Sequence, residues 1–460
     1  MKKIACFCIP AHGHTNPMLP VTAELVRRGD EVRFYSFNEF EEKIRKTGAT
    51  FISCDSFLPE LNAEEEAALK SISTTDMAIQ DIRISLAMND FLAKEFTEFG
   101  PDVVYTDSVC FWGKLNSMKF KVPMVVSTST FAFNRLSSQY MKSSPAEIMG
   151  LITGLPRLSK ELKTLEPYGY NIKNPLTLIQ SDNDTDSVVY TSKRFQPYAK
   201  SFSGHYLFAG PSVFSEALPD KKKERPLIYI SMGTVINDRP DFYANCFEAL
   251  KDMDADVILS CGNSVKQEEL GNIPENFRVY PYVDQLDILS GADVFITHCG
   301  MNSVSESLYM ATAMVLYPQT SEQQAVARCA VEAGAGLILK DDSPAGIRDA
   351  VCHILKDASY AKAAKECSDD FRSCPGVSGA ADFIENAPHK TDSPDPLKIM
   401  AKESGKYQLI YWLIVLIIAV LVGVFIAFRY LWIPGLAGGL LNGMFGKLFD
   451  SLSYARLKDA

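Results

Sequence analysis

The chemistry in this chain gathers first in residues 293–306, DVFITHCGMNSVSE. The apolar run Val294-Phe295-Ile296-Thr297 reads as a buried strand. A sharp break follows at His298-Cys299-Gly300, and Asn302-Ser303 stands where a helix N-cap belongs. A helix starting there aims unpaired backbone N–H groups and the positive end of its dipole at whatever lies above the strand, which is the make-up of a phosphate site. Asn302 and Glu306 share one helix face, so both can meet one ligand. On this stretch alone, a plain strand–turn–helix with a buried histidine is an equal reading.

The elements that must position such a site come from the alternation of apolar runs and helical periods. Residues 4–9 read as the first core strand, because a secretory leader needs an apolar core of ~7–15 residues before its break. Here Pro10-Ala11-His12-Gly13-His14 interrupts too early, so a secreted body is not expected. Asn16-Pro17 is expected to open a helix, Asn as its cap, that ends at Gly29. Strands at 31–37, 50–53, 102–105 and 122–127 then alternate with helices, including 63–99 and 110–119. That alternation implies a parallel sheet covered on both faces.

Residues 127–210 are irregular, with patches such as Thr130-Phe131-Ala132-Phe133, and an insertion of this kind suits a substrate pocket. The first half is thus expected over 1–210, with a Pro- and Lys-rich linker at 211–226. A second alternating series fills 227–387, with helices expected at 240–250, 302–311 and 322–333. Two doubly wound α/β domains leave a cleft between the carboxyl ends of their strands.

The chain of 460 residues is long for one domain, and its net charge of −10 argues against a nucleic-acid partner. An anionic ligand must therefore be held by local N–H groups. The odd count of eleven cysteines, without short repeated spacing, reads as reduced core filler in a reducing compartment. A polar stretch, 388–406, precedes Tyr407–Phe428, which carries no charge for 22 residues. A transmembrane helix is expected at 407–430, flanked by Tyr411 and Trp412 at one end and Tyr430 and Trp432 at the other. Lys398, Lys402 and Lys406 favour a cytoplasmic body, and 431–460 reads as an interfacial, amphipathic tail.

Five motifs occur in order: PAHGHTNP at 10–17, SMGT at 231–234, YVDQLDIL at 282–289, THCGMNSVSE at 297–306 and PQTSEQ at 318–323. Together they resemble the UDP-dependent glycosyltransferases of the macrolide, plant secondary-metabolite and glucuronosyl type, closest to the bacterial macrolide-glycosyltransferase branch. The resemblance covers about residues 1–385 and implies the GT-B fold, two Rossmann-like domains facing across a cleft.

The resemblance implies that His14 is the general base and Asp107 its acidic partner. A neutral imidazole near pH 7 suits removal of a hydroxyl proton, and a carboxylate orients the ring. His12 is read as a loop histidine, and no metal or other cofactor is implied. His298, Gly300, Asn302 and Ser303 would hold the diphosphate, with Ser231 and Thr234 facing it and Glu306 taking the ribose hydroxyls. Tyr282 would stack on uracil with Gln285 beside it, and Glu322 and Gln323 would bind sugar hydroxyls. Asp284 departs from the family's Trp-x-Pro-Gln segment, where proline is usual, and leaves base preference open.

The reaction so implied is inverting transfer of a hexose, glucose by default, from a UDP-sugar to a hydroxyl on an apolar or lipid-like acceptor. A UDP-sugar 2-epimerase on the same fold and a membrane-tethered, non-catalytic UDP-sugar binder are the alternatives. The first leaves the His14–Asp107 pair without a task.

Overall fold

The computed structural model describes residues 1–58, 73–134, 136–141, 145–170, 185–213, 224–234, 237–262 and 270–390, with single positions 172, 178, 265, 413, 416, 417 and 420. Residues 1–395 form one compact unit and 396–460 a second. The first unit holds two parallel sheets.

The first sheet is built from β1 (Lys3–Phe7), β2 (Glu31–Ser36), β3 (Thr50–Ser53), β4 (Val103–Asp107), β5 (Met124–Thr128), β6 (Asp186–Val189) and β7 (Tyr206–Phe208). Its helices are α1 (His12–Arg27), α2 (Glu41–Lys46), α3 (Thr74–Ala87), α4 (Asn89–Phe99), α5 (Phe111–Phe120) and α6 (Pro145–Leu162). Strand order is β3-β2-β1-β4-β5-β6-β7. The second sheet runs β10-β9-β8-β11-β12-β13. Its strands are β8 (Leu227–Ser231), β9 (Asp256–Ser260), β10 (Phe277–Tyr280), β11 (Val294–Thr297), β12 (Ala313–Leu316) and β13 (Gly336–Ile338). Around it lie α7 (Pro240–Leu250), α8 (Gln285–Gly291), α9 (Met301–Tyr309), α10 (Ser321–Glu332), α11 (Pro344–Lys356), α12 (Ala358–Arg372) and α13 (Gly376–Glu385).

Both orders reverse direction once, between β1 and β4 in the first sheet and between β8 and β11 in the second. In such sheets the loops at the reversal diverge to opposite faces and open a crevice at the strands' carboxyl ends. The central strands are apolar on both faces because helices cover both, and Ile4 to Phe7 and Val294 to Ile296 are almost wholly buried.

α13 brings the chain back to the first half. Its Ala380, Ala381 and Ile384 share a core with Val21 and Leu25 of α1, and Arg28 pairs with Asp382 at 2.6 Å and Glu385 at 2.5 Å. Burying Ile384 alone contributes about 1.5–3 kcal/mol.

Three expectations are corrected. α1 starts at His12 after an Ala11 N-cap, with Pro17 inside the helix, so Asn16 is no cap. α9 starts at Met301 on a Gly300 N-cap, so Asn302 and Ser303 lie in its first turn with their side chains free for other work. The irregular stretch 127–210 contains the helix α6 and two strands. There, helical periodicity was hidden by Gly150, Gly154 and Pro156. Gly154 is where α6 closes on α3, since a Cβ would stand 2.1 Å from Thr75 Oγ1.

Among the described residues no helix is long and apolar enough to cross a membrane. The expected span 407–430 and tail 431–460 lie outside them, apart from Leu413, Leu416, Ile417 and Val420, which are helical and exposed.

Candidate active site

At the first reversal, His14 stands in the opening turn of α1 and Asp107 is the last residue of β4. His14 Nδ1 lies 2.8 Å from Asp107 Oδ2. The carboxylate can only accept there, so Nδ1 carries the proton and Nε2 keeps its lone pair. Asp107 is fully buried, and its second oxygen accepts the Val109 N–H at 2.9 Å, which fixes its orientation. The His14 side chain stays 27% exposed, so it is reachable. Burial is the largest influence on the imidazole and opposes its charge, but the charge and hydrogen bond of Asp107, aided by Glu322 and Asp81, raise its pKa above the usual value.

Two neighbours escaped the sequence. Ser129, just past β5, places Oγ 3.1 Å from His14 Nδ1; its position beyond a strand end next to β4 was the available signal. Asp81 of α3 is half-buried, and burial together with the Asp107 charge pushes it up to about 7 while His14 pulls it down. His12 pairs with Glu39 at 3.0 Å and packs edge-on against Phe40.

At the second reversal, His298 follows β11 and is aimed by a strained turn. Cys299 takes φ +69, rare for a residue with a side chain, and its N–H is held by Thr297 Oγ1 at 3.2 Å. The His298 ring is wedged between two glycines. A Cβ on Gly233 would come within 2.4 Å of the ring, and one on Gly300 within 2.6 Å. Burial pushes His298 down to about 4, offset only in part by the Ser231 backbone. Nδ1 is buried and meets no partner at hydrogen-bond geometry among the described residues. The ring is neutral at pH 7, and its polar neighbour on the protein side is the Ser231 backbone.

The remaining predicted residues divide. Ser231 ends β8, accepting the Gly233 N–H at 3.3 Å, and Thr234 is exposed beside it. Gln285 donates to Glu306 at 2.6 Å and to Ser303 at 3.3 Å, and accepts from Tyr229 at 3.3 Å. Burial pushes Glu306 up to about 7, opposed by the Gln285 bond and supported by the Asp284 charge. Tyr282 is 70% exposed, with the Lys43 ammonium 5.9 Å from its ring centre. Asp284 caps α8, accepting from Leu286 and Asp287; this explains why the loop manages without the family's proline.

The amide oxygen of Gln323 closes a capping box, accepting from Gln319 N at 2.7 Å and Thr320 N at 3.3 Å. Glu322 remains exposed in the first turn of α10 and bears electrostatically on His14 across the cleft. Asn302 turns to the other half, donating to the Gly13 carbonyl at 2.9 Å.

Two parallel α/β halves with facing crevices define a GT-B glycosyltransferase. Residues 244–385 match the family described as "Erythromycin biosynthesis protein CIII-like, C-terminal domain". YojK of Bacillus subtilis (strain 168), described as an uncharacterized UDP-glucosyltransferase, is 32% identical, the alignment covering 85% of this chain and 99% of YojK. The NDP-glycosyltransferase YjiC of Bacillus licheniformis is 33% identical over 84% of this chain and 97% of its own. Among solved structures, the glycotransferase of kitacinnamycin superposes with a TM-score of 0.71 at 25% identity, over 84% of this chain and 98% of that one. The chain belongs to the UDP-glycosyltransferase family, on its macrolide and NDP-glycosyltransferase side. It transfers a sugar from a nucleotide sugar.

Proposed function

We propose that the protein transfers a hexose, by default glucose, from a UDP-sugar to a hydroxyl of an apolar small-molecule or lipid-like acceptor with inversion. The observation that carries this reading is the His14–Asp107 pair, bonded at 2.8 Å with the base partly open to the cleft. His14 Nε2 takes the acceptor's proton as its oxygen attacks the anomeric carbon, and Asp107 stabilises the imidazolium that forms. A single displacement turns an α-linked donor into a β-glycoside.

Opposite the base, charge builds on the phosphate oxygen as the nucleotide leaves. Neutral His298 and the free N–H groups that open α9 offer donors there without moving, where they count most. Gly300 lets the phosphate approach. Ser231, Thr234 and Ser303 add hydroxyls. Glu306, with Gln285, takes the ribose, Tyr282 stacks on the base, and Glu322 with the free amide hydrogens of Gln323 meets the sugar. No metal is called on.

The 22 uncharged residues of 407–428 support a membrane anchor, and Lys398, Lys402 and Lys406 before them a catalytic body on the cytoplasmic side. Anchoring holds the cleft near molecules dissolved in the bilayer. The test is incubation of the full chain with UDP-glucose and a panel of phenols, macrolides and lipid alcohols, with products read by mass. Wild type forms a β-glycoside, and His14→Ala loses roughly 10²–10⁴-fold of the rate. Undiminished transfer by His14→Ala would overturn the base assignment.

A further inference from the structure

The turn that carries His14 has a shortage written into its sequence. In a helix the Gly13 carbonyl takes the N–H four residues on. In α1 that residue is Pro17, which has no N–H and whose ring crowds the same carbonyl. A polar group one residue from the base is thus left in need of a donor, and the donor comes from the other half of the molecule. Asn302 Nδ2, in the first turn of α9, reaches the Gly13 oxygen at 2.9 Å.

We infer that Asn302 is a positioning residue for His14: it ties the first turn of the phosphate-facing helix α9 to the turn that carries the base. The inference rests on the reading of His14 as the base. An amide nitrogen has two hydrogens and the amide oxygen can accept. One hydrogen serves Gly13, and the rest of the group stays at the helix end where N–H donors are unspent. A phosphate seated there touches the residue that sets the base. Donor occupancy and base placement are thereby joined through one side chain.

A second tether keeps α1 in place without it. Ser212 Oγ donates to the Pro17 carbonyl at 2.5 Å. Loss of Asn302 therefore frees one turn rather than the helix. Asn16, Pro17, Asn302 and Glu306 also line one small gap between the halves.

The test uses the full chain, UDP-glucose at saturation and the phenolic acceptor 4-methylumbelliferone, so that donor affinity drops out of the rate. Asn302→Leu keeps the bulk and removes the donor. Its kcat falls roughly 10- to 100-fold, the scale at which a reacting group about 1 Å out of place is felt. Pro17→Ala returns an N–H to the Gly13 carbonyl from within α1. In that background Asn302→Leu costs less than about 3-fold, because the two changes act on one group.

The His14 titration, followed by NMR, moves down in Asn302→Leu as the ring loses its alignment on Asp107. A kcat loss below 3-fold, a loss that Pro17→Ala does not relieve, or an unchanged His14 titration would each overturn the inference. If wild type forms no glycoside, it is the functional reading that fails, and the titration still decides the link between Asn302 and His14.

Discussion

Two histidines stand past the carboxyl ends of the two sheets, each where strand order reverses; burial disfavours the charge of both, but only one has carboxylates around it. His14 is 27% exposed, bonded to a buried carboxylate and under the influence of two more, Asp81 and Glu322. His298 has glycine on both sides, meets no carboxylate at ion-pair distance among the described residues, and has only the Ser231 backbone to offset its burial. The first has its pKa raised, and the second is pushed down to about 4. The two reversal points, reached after β1 in one sheet and after β11 in the other, have therefore been given opposite proton chemistry. A base must gain a proton during the reaction and needs a carboxylate to accommodate the charge. A donor to a phosphate oxygen must hold its hydrogen without titrating, and burial ensures that.

Removing Asp107's charge should break the contrast most sharply. In Asp107→Asn, burial is left to act on His14 with less opposition, so the pKa falls and the ring loses its orientation. We expect kcat/KM to fall on the order of 10²–10³-fold, measured by initial rates of glycoside formation. On the other side, Gly233→Ala drives a Cβ to within 2.4 Å of the His298 ring at φ +78. It should displace the donor-side imidazole and weaken UDP about 10-fold by calorimetry, about 1.4 kcal/mol, while the pH dependence set by His14 stays where it was. The smallest effect belongs to Asp284. Asp284→Ala removes the cap of α8 and should lower stability by ~1 kcal/mol in thermal unfolding, with kcat at saturating donor nearly unchanged because the residue caps the helix and touches no reacting atom.

The alternation of strands and helices was readable because a parallel sheet covered on both faces demands apolar strands between amphipathic helices. The two histidine stretches stood out through five motifs in order and not singly, since the one around His298 reads equally as a plain strand–turn–helix. What local patterns could not carry was every contact made across long separations. Asn302 looked like a helix cap and phosphate ligand because its sequence neighbours allow both, and the Gly13 carbonyl that occupies it lies 289 positions away. Asn16-Pro17 looked like a helix start because proline favours a first turn, yet α1 begins at His12 and takes Pro17 into its interior. Helix α6 is hidden where Gly150, Gly154 and Pro156 interrupt the apolar period, of which Gly154 serves packing against Thr75. Gln323 looked like a free sugar ligand, while half its amide closes a capping box that only the Thr320 geometry reveals.

The division of labour between the histidines is tested most directly by the pH dependence of kcat/KM in wild type beside Asp107→Asn. A base whose pKa is raised must lose its proton before it works, so activity in wild type should rise through a single limb above pH ~6.5, the ordinary histidine value. It should then hold level at higher pH. In Asp107→Asn that limb should move to lower pH as the plateau drops. A limb that stays fixed when Asp107 loses its charge would contradict the assignment of His14 as the base.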